Sequence, residues 1–132
     1  MAEAKKLPQV RVVAAVARRD NSLLIGRRPP TKRHGDLWEF PGGKCEVDES
    51  DFDAMSRELA EELGVTVTSI GEEVFSIADP GSPYLIVFRE VEFVGEPICH
   101  EHSEIRWASV REIASLQLAP SDKTFVDSLT IR

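Results

Sequence analysis

The sequence predicts a mixed α/β sandwich with one helix in mid-chain. Three observations carry that reading. VRVVAAVAR (10–18) is β-branched and alanine-rich and reads as a buried strand. YLIVFREVEFV (84–94) reads as a long strand whose later half alternates apolar and charged residues. Between them, the stretch from Ser50 to Gly64 carries helix signals at both ends.

Taken in order, RDNS (19–22) is a turn and SLLIGRR (22–28) a second strand, so that the two strands form a hairpin. PPTKRHGD (29–36) is a polar loop, and LWEF (37–40) is a short strand stopped by PGG (41–43). Ser50 caps the helix, with Asp51 and Asp53 in its first turn where the dipole favours anions. Phe52, Met55, Leu59 and Leu63 recur at three- and four-residue steps and form its core stripe, and Gly64 ends it. VTVTSI (65–70) and EEVFSIA (72–78) are strand-like, and DPGSP (79–83) is a turn. IRWASV (105–110) is a strand, REIASLQL (111–118) a short helix, and SDKTFVDSLTI (121–131) a terminal helix with Pro120 and Ser121 at its start.

A chain of 132 residues is expected to form one domain, residues 1–132, with a core that needs no staples. Cys45 and Cys99 form neither a disulfide framework nor a metal-site spacing, which places the chain in a reducing, cytoplasmic compartment. The start, MAEAKKLPQV, has no leader-like apolar run, and no apolar stretch is long enough to span a membrane. A net charge of −7 argues against a nucleic-acid polymer as partner. It leaves open a small phosphate-bearing ligand, for which an acidic protein needs a divalent cation as mediator. A monomer and a homodimer are both compatible with the sequence.

RELAEEL (57–63) concentrates Glu58, Glu61 and Glu62 on neighbouring directions of the mid-chain helix. Like charges at this spacing repel, so the cluster is either a solvated acidic face or a cation site. The preceding loop, EFPGGKCEVDE (39–49), favours the second reading. Gly42 and Gly43 allow close backbone approach and can present carbonyl oxygens inward. Carboxylates with a backbone carbonyl are the hard oxygen ligands that Mg²⁺ or Mn²⁺ takes.

Gly43, Glu49 and the run Arg57-Glu58-Leu59-Ala60-Glu61-Glu62-Leu63-Gly64-Val65 together resemble the Nudix box at every fixed position. The resemblance implies the Nudix fold, an α/β/α sandwich with a mixed sheet and a catalytic loop-helix-loop. It implies that Glu58, Glu61, Glu62 and the Gly42 carbonyl hold metal, that Glu49 and Arg57 form a structural ion pair, and that Gly64 is a helix stop. The implied activity is metal-dependent hydrolysis of a nucleoside diphosphate derivative, with no nucleophilic side chain required.

Outside the box, LLIGRRPPTKRHGDLWEFPGGK, HEHSEIRW (100–107) and LAPSD (118–122) resemble the MutT-like branch, including CTP pyrophosphohydrolases and oxidised-guanine triphosphatases. The resemblance implies that Glu101 approaches the metal site and is a further catalytic candidate. It implies that Arg28 contacts phosphate, as Lys44 can, and that Asp122 reads the base edge; the alternative for Asp122 is a cap on the last helix. Glu39 lies between Trp38 and Phe40 and joins the substrate-binding candidates, while those two aromatics are core residues or a base-stacking surface. His100 and His102 are expected at the surface or behind the site. The chain departs from the MutT pattern in lacking an arginine within DPGSP (79–83), which weakens a MutT-like grip on guanine. The implied substrate is a (deoxy)nucleoside triphosphate, either 8-oxo-dGTP or of CTP/dCTP type, in nucleotide-pool sanitation. ADP-ribose hydrolysis and a non-catalytic nucleotide-binding module are the alternatives.

Overall fold

A computed structural model describes residues 10–130. The amino-terminal stretch and Ile131, the last residue of the expected terminal helix, lie outside it. The elements are β1 (Val10–Arg19), β2 (Ser22–Arg27), β3 (Trp38–Glu39), β4 (Gly42–Lys44), α1 (Asp51–Leu63), β5 (Thr66–Ala78), β6 (Tyr84–Val94), β7 (Glu104–Ala108), α2 (Val110–Ala114) and α3 (Pro120–Thr130).

β1 organises the sheet. It runs parallel to β6 from Val10↔Tyr84 to Ala17↔Val91, and antiparallel to β4 and to β2 on its other side. β5 extends the β6 edge, while β3 and β7 both pair with β2. A parallel pair at the centre means helices on both faces, and an apolar run on the buried strand follows. Val13, Ala15 and Ala17 face Met55, Leu59 and Leu63 of α1. Ala14 and Val16 face the opposite layer, with Phe88, Ile113, Phe125 and Val126. This is the expected α/β/α sandwich. The second layer holds a ring cluster in which Phe88 and Phe125 stack at 4.4 Å and Phe40 meets Phe125 edge-on at 5.3 Å.

Several expectations are corrected. The two strand-like stretches at 65–70 and 72–78 form one strand, β5, bent by three register shifts against β6. The glycine pair does not simply stop a strand, because Gly42–Lys44 pairs with β1 as β4. Phe52 is 39% exposed and leaves the core stripe, and Ala54 takes its place at 0%. α2 starts earlier than expected, because Ser109 and Glu112 close a reciprocal capping box. No helix of the described residues is long and apolar enough to cross a membrane.

Candidate active site

The site is built where β4 passes under α1. Ser50 Oγ accepts the Asp53 N–H at 3.1 Å, and Gly64 adopts φ 69° and closes the helix onto the Ala60 carbonyl. These ends fix the helix rotation that turns Met55, Leu59 and Leu63 into the core. Glu58 and Glu62, one turn apart, then face the glycine loop. Both glycines are needed there. A Cβ on Gly42, at φ 153°, would collide with the Val13 carbonyl, and one on Gly43 would collide with the Glu58 carboxylate.

Arg57 braces this loop. Its Nε and Nη2 donate to the two oxygens of Glu49, both at 2.9 Å. Nη2 also donates to the Lys44 carbonyl at 2.9 Å, and Nη1 donates to Glu58 Oε2 at 2.9 Å. The Arg57 hydrogen bonds, with the Glu46 N–H adding to them, hold the Glu49 carboxyl down at about 2. Arg57 itself is pushed up, chiefly by Glu49.

Glu62 is 6% exposed, and its Oε1 accepts the Gly42 N–H at 3.3 Å. Burial, then the charges of Glu39 and Glu58, push it up to about 9. Glu58 is also pushed up, chiefly by burial, with Arg57 opposing. The Glu58 charge, one helical turn away, adds to the cost of ionising Glu62. Glu61 is half exposed, 3.8 Å from Arg57 Nη1, and Glu101 is exposed at the cavity rim. Among the described residues, no three acidic, histidine or cysteine side chains converge tightly enough to enclose an ion alone. The donor set nonetheless suits a hard divalent cation. Glu62 is buried and Glu58 half-buried, and of the two Arg57 bonds only Glu58, so the ionised pair carries excess negative charge that such a cation would offset.

Two cavities adjoin the pair. The first, about 390 Å³, is lined by Arg28, Lys32, Glu39, Gly42, Glu62, Glu101 and His102. The second, about 340 Å³, shares Arg28, Glu39 and Gly42 and continues past Phe40, Lys44 and Tyr84 to Asp79, Ser121 and Asp122. Arg28 Nη1 donates to Glu39 Oε1 at 3.1 Å, and its Nε donates to the Arg33 carbonyl at 2.6 Å, so the guanidinium is held at the seam of the cavities. Lys44 Nζ lies 5.0 Å from the Tyr84 ring centre. Asp122 is not a helix cap. α3 begins at Pro120, and the Asp122 carboxyl accepts the Phe40 N–H at 3.3 Å instead. Burial, then the Glu39 charge, push Asp122 well above the usual carboxylate range. Trp38 and Phe40 are core residues, at 5% and 3% exposure.

His102 is not a surface residue. It is buried, and its Nε2 lies 3.0 Å from Glu39 Oε2, so Glu39 is gripped by both Arg28 and His102. Gly26 leaves room for that ring, since a Cβ there would collide with it. His102 thus takes the second of its two expected places, behind the site, whereas Asp79 and Ser121 are not among the site residues that the sequence indicates. Asp79 reads as a turn residue and Ser121 as a helix start, and neither shows that the two touch.

A NUDIX domain model matches residues 7–129, and the chain belongs to the Nudix hydrolase family. Within it, the chain is 40% identical over 119 residues to the CTP pyrophosphohydrolase of Escherichia coli K12, covering 88% of this chain and 87% of that one. It is 29% identical over 119 residues to the 8-oxo-dGTP diphosphatase of the same organism, covering 89% and 92%. The solution structure of the E. coli ORF135 protein superposes with a TM-score of 0.80 at 36% identity, covering 97% of this chain and 93% of that one.

Proposed function

We propose that the chain, acting as one domain, hydrolyses (deoxy)nucleoside triphosphates to the monophosphate and pyrophosphate. The Glu58–Glu62 pair against the Gly42–Gly43 loop carries this reading, because it leaves negative charge that a divalent cation would balance, and that cation can in turn take the oxygens of a polyphosphate. Glu58, Glu61, Glu62 and the Gly42 carbonyl would hold Mg²⁺ or Mn²⁺, with Glu101 joining from the facing rim. When bound, the ion supplies charge to the phosphate oxygens and acidifies water.

The chain's own groups do the rest. Arg57 fixes the direction of Glu58, and Glu49 fixes Arg57. Arg28 and Lys44 offer cationic contacts to the phosphates from the seam and the floor. A carboxylate among Glu58, Glu61, Glu62 and Glu101 accepts the proton of the attacking water. Asp122 and Glu39 present carboxyl groups to the base cavity. The names of the two relatives favour cytosine or oxidised-guanine triphosphates and a role in nucleotide-pool sanitation.

The test is product formation with Mg²⁺ from CTP, dCTP, dGTP, 8-oxo-dGTP and ADP-ribose, resolved by chromatography beside a Glu61→Gln control. Monophosphate and pyrophosphate from a triphosphate, lost in the control, is the expected result. Cleavage of ADP-ribose alone would move the chain to another Nudix activity, and binding without turnover would make it a nucleotide-binding module.

A further inference from the structure

Asp79 has no part in the mechanism above, yet its carboxylate is fixed on both oxygens. Ser121 Oγ donates to Oδ1 at 2.6 Å, and Ser82 Oγ donates to Oδ2 at 2.8 Å. The Asp79 N–H donates to the Tyr84 carbonyl at 2.9 Å, and the turn closes with Gly81 at φ 76°. Ser121 is 3% exposed and belongs to α3, so the lock ties the β5–β6 turn to the helix that carries Asp122. Each carboxylate oxygen has room for two donors, and one hydroxyl fills only one place. The side chain is therefore aimed and still able to accept.

Asp79 and Asp122 line the same cavity. Asp122 already accepts the Phe40 N–H, and its burial favours the protonated carboxyl, which can donate. Asp79, held by two donating hydroxyls, is an acceptor. The two aspartates thus bring one donor and one acceptor to the same cavity. At the same ring position cytosine carries an amino group and uracil a carbonyl.

We propose that Asp79 is a specificity-determining residue of the base cavity, its locked carboxylate accepting an exocyclic amino group and disfavouring a carbonyl at the same place. This rests on the triphosphate-hydrolase reading. A mere turn brace would not need a carboxylate, because asparagine can accept from one serine hydroxyl and donate to the other.

The experiment is steady-state hydrolysis of CTP and UTP by the full chain and its Asp79→Asn and Ser121→Ala variants. The expected result for Asp79→Asn is a fall of about tenfold or more in the CTP-to-UTP ratio of kcat/KM, from losing one well-placed acceptor. The fall should lie in KM for CTP, with kcat within about threefold, because the interaction is made with the bound base and not at the phosphate. Ser121→Ala, which keeps the carboxylate but frees its direction, should lower the ratio in the same sense. Asp79→Asn with the wild-type ratio, or with equal losses on both nucleotides, would overturn the inference. Should Asp79→Asn fail to fold, a wild-type ratio in Ser121→Ala overturns it instead. No triphosphate turnover by the unaltered chain would overturn the proposed function, and this inference with it.

Discussion

The backbone N–H of Gly42 donates to Oε1 of Glu62 at 3.3 Å, joining the glycine loop to a carboxylate that is only 6% exposed. Among the described residues, no basic side chain forms an ion pair with Glu62, so in the absence of a cation its charged form has one backbone dipole in support. Burial therefore dominates and the group stays protonated up to about 9. Its folded value lies above the ordinary 4.5, so its contribution to stability is full below that pH and is lost as pH rises through 9. Glu62→Gln keeps the shape and removes the titration. In the presence of a chelator, the variant should be more stable than the parent by about 1–2 kcal/mol at pH 8 while losing activity, a trade of stability for function. Urea midpoints across pH 5 to 9 check this, at about one-unit steps. Asp122 shifts in the same direction, so some slope should persist. A variant with the parent's full slope would show that Glu62 is not the group responsible.

Glu49 behaves in the opposite sense. Arg57 and the Glu46 N–H hold it at about 2, below its ordinary value of 4.5, so its stabilising effect is present at neutral pH and fades as pH falls through 2. Its larger effect is on the site, because Arg57 passes the restraint on to Glu58 and to the Lys44 carbonyl. Glu49→Gln should raise the Mg²⁺ concentration needed for half-maximal activity by about 10- to 100-fold, the usual cost of losing a supporting partner behind a ligand. Arg57→Lys should not rescue, since an ammonium cannot span Glu49, Glu58 and a carbonyl in one plane. Metal titrations of activity decide it, and an unchanged metal requirement in Glu49→Gln would show the pair to be a brace for the loop alone.

The two neighbouring glycines should fail differently. A Cβ on Gly43 meets the end of the Glu58 side chain, which can swing away, whereas one on Gly42 meets the Val13 backbone inside the β1–β4 pairing. Gly43→Ala should fold normally and be inactive. Gly42→Ala should lose about 1–3 kcal/mol of stability as well, from strain at a positive φ against a fixed carbonyl. Thermal unfolding of both variants beside their turnover separates the two outcomes.

What the sequence made legible follows the range of the interactions involved. The strand β1 and the capped helix α1 could be read because their signals are local: unbroken apolar residues, Ser50, and Gly64. The Glu58–Glu62 cluster was visible because helical spacing alone puts these side chains together. β4 was hidden, since a glycine pair has low strand propensity and pairs here only because Val13 needs its close approach. β5 looked like two strands because its register shifts break the alternation. The contacts of His102 and Asp79 cannot be read from the sequence for a related reason. Their partners, Glu39 and Ser121, lie 63 and 42 residues away, and no spacing encodes such a contact.

The core stripe gives the last prediction. Helical spacing placed Phe52 with Met55, Leu59 and Leu63, but Phe52 is 39% exposed whereas the other three are at 0%. Its neighbour Asp51 takes the inward direction on the first turn of α1, bonded to Arg11 of β1 and Arg89 of β6, and Ala54 fills the apolar contact instead. Leu59 packs in the cluster that includes Val13, Leu24 and Val91, and truncating it leaves a cavity that a rigid sheet cannot close. Leu59→Ala should cost about 2–5 kcal/mol. Phe52→Ala should cost no more than about 0.5 kcal/mol, the range for surface positions. Chemical denaturation of the two variants measures both. A large loss in Phe52→Ala would mean that the ring covers more of the helix start than its exposure implies, and that it adds to the hold that Asp51 already gives the first turn of α1 on the sheet.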